Sequence, residues 1–138
     1  TSYYRLFHNQ DVPEHHLIYA PFFEDSYFFL LSGEDGDTLY RFLDYPFYSP
    51  QKKLAVSMSV PFTYDVQEAM LELVMLRNGN YSKAIQLTFV NWNFASDREI
   101  HWLSDHEFLI AVTAPHQFHE KEPKPFYLKF TFNPAYFE

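Results

Sequence analysis

The amino-acid sequence predicts an all-β protein, an antiparallel β-sandwich or small barrel of about eight strands, on three observations. Short β-branched and aromatic runs are punctuated by Pro, Asp and Gly, which is the pattern of strands and turns. Several of these runs alternate apolar and polar residues with period two, so each buries one face and wets the other. Turn signals recur about every 8–12 residues, the spacing of a sandwich rather than of βαβ units.

Taken in order, residues 3–8 and 17–23 are the first, weaker strand candidates. Residues 27–32 and 39–45 flank Gly33-Glu34-Asp35-Gly36-Asp37-Thr38 and read as a hairpin with an acidic loop. In 54–60, Leu54, Val56, Met58 and Val60 alternate with Ala55, Ser57 and Ser59. A weak candidate at 98–103 precedes 107–113, which Pro115 ends. The clearest strand is C-terminal, where Phe126, Leu128, Phe130 and Phe132 alternate with Tyr127, Lys129, Thr131 and Asn133.

Residues 65–77 admit two readings. Asp65 and Glu68 form a capping pattern, and Gly79 suits the residue after a helix end, so one short helix fits. Asn78-Gly79 followed by alternating Ile85, Leu87 and Phe89 is equally a hairpin signal. The apolar residues from Ala69 to Leu76 surround a helical wheel, interrupted only by Glu72, and this favours the strand.

A chain of 138 residues suits one domain over 1–138. Folding at this size buries about two-thirds of the chain's surface, enough for a core without staples. With no cysteine, disulfide scaffolds, zinc ribbons and thiol catalysis are excluded, and a reducing cytoplasmic setting is favoured. Three glycines and no G-x-x-x-x-G-K-[ST] leave no phosphate-cradling loop. Ten Lys and Arg against 18 Asp and Glu give a net charge of −8, which repels nucleic-acid backbones and attracts basic partners. No apolar run approaches the roughly 18 residues of a membrane span, and no basic then apolar leader pattern is present.

Of 138 residues, 16 are Phe, 11 Tyr and 2 Trp, and their distribution carries the functional expectation. From Leu17 to Leu31 alternation fails, because Ile18, Ala20 and Phe22 are as apolar as Leu17, Tyr19 and Phe23. Such a pair of strands needs cover on both faces, from the same chain, a second subunit or a ligand. The expectation is a non-catalytic protein–protein interaction module, either inhibitor-like or an assembly subunit. Its contact surface would use Tyr19, Phe22, Phe28, Tyr40, Tyr45, Phe47 and Tyr48, with Asp35 and Asp37 steering a basic partner; self-association is the other expectation. The alternative is a carbohydrate or apolar-ligand module built on Trp92 and Trp102.

Catalytic motifs are absent: no G-x-S-x-G, no H-E-x-x-H and no placed carboxylate pair. His101, His106, His116 and His119 are candidate metal ligands without a metal-site spacing, the acidic loop Glu34–Asp37 reads as a solvated turn rather than a calcium loop, and no cofactor is expected. Asn80-Tyr81-Ser82 is a glycosylation sequon at an expected turn, meaningful only in a secreted eukaryotic protein.

Overall fold

A computed structural model describes residues 4–7, 15–21, 26–59, 69–90, 92–94, 100–114 and 124–137. The described residues form twelve strands and one terminal 3₁₀ turn, Pro134–Phe137. All strand pairs are antiparallel and they make three sheets.

Sheet I contains β1 (Arg5–Phe7), β2 (His15–Pro21), β3 (Ser26–Ser32) and β4 (Thr38–Phe42), in that order. Sheet II contains β5 (Phe47–Tyr48), β6 (Leu54–Ser59), β7 (Ala69–Arg77) and β8 (Asn80–Phe89), also in chain order. In sheet III, β9 (Asn93–Phe94) and β10 (Ile100–Ser104) lie along one side of β11 (Glu107–Thr113), and β12 (Phe126–Thr131) lies along the other.

Side-chain parity places sheet II between the other two. Leu54, Val56, Met58, Leu71 and Leu73 join Phe94, Ile100, Phe108, Ile110 and Val112 of sheet III in one core. The opposite face of sheet II contributes Tyr48, Ala55 and Val74 to a second core with Leu17, Phe28, Leu30 and Phe42 of sheet I. Each fully buried Leu, Phe or Val contributes about 1.5–3 kcal/mol through apolar surface removed from water.

This layering departs from the pattern read in 54–60. Leu54 to Met58 are buried without interruption, because Ala55 and Ser57 face sheet I rather than water. Their small side chains let the two sheets approach. In β7, Ala69 and Leu71–Val74 are also buried, so both faces are covered as the apolar wheel over 69–76 requires.

The strand reading of 65–77 holds over 69–77, and residues 65–68 lie outside the described residues. Asn78 (φ 52°) and Gly79 (φ 77°) form the two-residue connection, with Arg77 opposite Asn80. Two successive positive φ values define the primed turn that Asn-Gly favours. The acidic hairpin also closes, through Ser32 N–H to Asp37 O at 2.8 Å and Gly36 N–H to Ser32 O at 3.0 Å.

Strands exceed the expected number because two-residue β5 and β9 carry no periodic signal of their own. At the C-terminus, Leu128, Phe130 and Phe132 pack on the core as read, but Phe126 is 52% exposed. It is the first residue of β12, opposite Val112, with its ring centroid 5.6 Å from that of Trp92.

Candidate functional site

Between sheets I and II, the side chain of Glu72 is the only charged group among the buried described residues, at 3% exposure. Antiparallel register sets it opposite Ser57, whose hydroxyl donates to Oε1 at 2.8 Å. Leu43 N–H, just past β4, donates to the same oxygen at 2.9 Å, and the Tyr40 phenol donates to Oε2 at 3.2 Å. Three donors from two segments, β6 and the end of β4, compensate the carboxylate for lost hydration. Burial raises the Tyr40 phenol well above its ordinary range, and the Glu72 charge and hydrogen bond add to the shift. This node ties sheet I to sheet II.

Around it stand aromatic rings. Tyr40 contacts Phe42 at 4.8 Å and Tyr81 at 6.4 Å, and His15 meets the edge of Tyr81 at 6.1 Å. The aromatics expected at a contact surface largely belong to this interlayer region. Phe28 and Tyr48 are buried, which removes them from the surface. Tyr19, Tyr40 and Tyr45 are half-buried against the same core. Tyr45 bridges the edges of Phe28 (5.7 Å) and Phe47 (5.4 Å), and Phe47 packs on the sheet II–sheet III core. Phe22 lies outside the described residues.

Asp35 and Asp37 are exposed at the β3–β4 turn. The Asp35 carboxylate accepts the Asp37 N–H at 3.0 Å, and that bond, followed by one from Ser32, lowers its pKa. The outer face of sheet I carries the rest of the double-sided run. There Ala20 is buried, Ile18, Tyr27, Phe29 and Leu31 are half-buried, and Leu6 is exposed. The Arg41 guanidinium stacks over the Tyr27 ring at 4.6 Å.

Trp102 is held by structure: its indole N–H donates to Phe47 O at 3.0 Å, and its ring lies on Phe108 and Phe132. Trp92 is half-buried beside Phe126. His101 and His106 are exposed on sheet III, and His116 and His119 lie outside the described residues. Among the described residues no three His, Asp or Glu side chains gather as a metal site would require.

What sequence reading missed is a sheet edge. β8 ends sheet II, and among the described residues it pairs with β7 alone. From Ser82 to Thr88 every residue is exposed, including Ile85 (39%) and Leu87 (36%). Val90, just beyond, is also exposed. Residues 73–96 are the longest stretch of the sequence without Asp or Glu, and this was the available signal.

Fold and site together define an antiparallel all-β protein of three stacked sheets, with a buried polar node between two of them and exposed apolar residues along β8. Comparison with protein-family models, curated proteins and solved structures gave no match.

Proposed function

We propose that this chain is a non-catalytic protein–protein association module. The observation that carries the reading is the β8 edge, which among the described residues pairs with β7 alone and exposes Ile85 and Leu87. A long exposed strand is a template for pairing with another chain, and proteins with no use for one blunt it with charge, proline or cover. β8 has one charged side chain, Lys83, and no proline. Main-chain bonds along such an edge supply affinity, and the alternating side chains supply selectivity.

The acidic β3–β4 turn is a second exposed element, suited to steering a basic surface toward the molecule. Glu72, the strongest catalytic candidate on chemistry alone, is committed to holding sheet I in place.

Sedimentation velocity over a wide concentration range, combined with co-purification from its source, tests the reading. A complex with itself or with a defined protein is expected. A chain that stays monomeric and captures nothing overturns it.

A further inference from the structure

We infer that the β8 edge pairs with β8 of a second copy, two-fold and antiparallel, about an axis at Leu87. The inference rests on the association reading and names its partner.

A bulge fixes which part of β8 can pair. The β7–β8 register shifts between Leu73, opposite Ile85, and Val74, opposite Lys83, leaving Ala84 as the extra residue. Bulges turn an edge away from a partner strand. The regular segment beyond it is Ile85–Phe89.

That segment is complementary to itself. With Leu87 on the axis, Leu87 meets Leu87 of the other copy, Ile85 meets Phe89, and Gln86 meets Thr88. Strand alternation puts Ile85, Leu87 and Phe89 on one face, so every pair there is apolar. On the opposite face Gln86, whose amide oxygen accepts from Lys83 Nζ at 2.8 Å, lies across from Thr88 of the other copy, so no charge is brought against a like charge there. Phe89 is already packed on Phe94 and Phe130, which makes it a rigid wall for the incoming Ile85.

Charge selects the same place. Two molecules at −8 repel, so an interface between copies needs a surface without carboxylates. β8 lies within 73–96, which holds no Asp or Glu and only Arg77 and Lys83 as charges. The two Lys83 side chains would sit roughly 25 Å apart along the ladder, well beyond a Debye length of about 8 Å. The other long edge, β12, has a carboxylate beside it, since Glu107 of the neighbouring strand lies 3.0 Å from Lys129.

Leu87→Lys and Leu87→Glu provide the test, because a residue on a two-fold axis meets only itself. Each variant alone should raise the dimer dissociation constant about tenfold or more in sedimentation velocity, since like charges then face each other across the ladder. An equal mixture should recover a 1:1 heterodimer. Position 87 is exposed, so at concentrations where wild type is itself monomeric the melting temperatures should stay near wild type. Amide exchange over Ile85–Phe89 in the unaltered protein should slow as concentration rises, a readout that needs no variant.

A wild-type chain monomeric at every concentration, variants that dimerise as wild type does, or a mixture that stays monomeric each overturns the self-pairing. A monomeric chain that binds a different protein and loses it with Leu87→Lys overturns self-pairing while the association reading stands. With neither dimer nor partner, both fall.

Discussion

The Tyr40 phenol donates across the gap between two sheets to Glu72 Oε2, 3.2 Å away. Tyr40 lies on β4 and Glu72 on β7, separated by 32 residues in the chain, so this bond exists only when sheet I is seated on sheet II. Ser57 and Leu43 donate to the other carboxylate oxygen. The carboxylate is thus the acceptor around which the smaller core is organised.

Removing that acceptor should cost more than changing its charge. Glu72→Leu leaves two hydroxyls and one backbone N–H facing apolar atoms, a loss of about 3 kcal/mol at 1–3 kcal/mol per buried unpaired group, partly relieved by relaxation. Glu72→Gln keeps an oxygen for Ser57 and Leu43, and the Tyr40 hydroxyl can turn to accept from the amide, so about 1 kcal/mol is expected. Urea unfolding of the two variants checks the order, and equal losses would contradict it.

Alkaline stability should follow Tyr40. Its ordinary pKa is 10.0, and burial, reinforced by the Glu72 charge, raises it in the folded protein. A raised folded-state pKa means that the native state holds its proton where the unfolded chain has released it. The contribution is therefore complete below pH 10 and is lost as pH climbs toward the folded value. Urea midpoints should fall in that range, and Tyr40→Phe should flatten the decline. An unchanged slope in Tyr40→Phe would assign the decline to other groups.

How far the sequence could be read depended on whether a feature was local. The Asn78-Gly79 turn and the face shared by Leu128, Phe130 and Phe132 depend on neighbours in the chain, and both appear where read. The covered second face of β6 did not show, since Ala55 and Ser57 suit water and a close-packed sheet equally. Glu72 read as an interruption in an apolar run because its partners come from Ser57, Leu43 and Tyr40. Those meetings depend on register and layering, which no short window contains. For the same reason, alternation in Ile85, Leu87 and Phe89 identified a strand but not that it would be the last of its sheet.

Trp102 should be the corresponding tie between sheets II and III. Its indole N–H donates to Phe47 O at 3.0 Å while its ring fills space beside Phe108 at 5.1 Å and Phe132 at 6.3 Å. Trp102→Phe keeps part of the packing but leaves the carbonyl without its donor and opens a small void, a combined loss of about 2 kcal/mol. Differential scanning calorimetry should show a lowered midpoint, together with a shift in tryptophan fluorescence toward that of Trp92 alone. An unchanged midpoint would make the hydrogen bond incidental.

Gly79 links local geometry to the proposed edge. Its φ of 77° is easily reached by glycine, and a Cβ placed there meets nothing within 4 Å. Gly79→Ala therefore costs conformational energy without steric conflict, about 1 kcal/mol for a side chain in the left-handed region. Gly79→Val should cost more, because branching at Cβ disfavours that region further. A longer or relaxed turn would let Asn80 leave its place opposite Arg77, and a slip of one residue along β8 would turn Leu87 to the opposite face. Gly79→Val should thus weaken self-association as well as stability, although residue 79 lies eight positions from the proposed axis at Leu87. Measuring melting temperature and sedimentation on the same samples separates the effects. Lost stability with unchanged association would show that the register of β8 survives the strained turn.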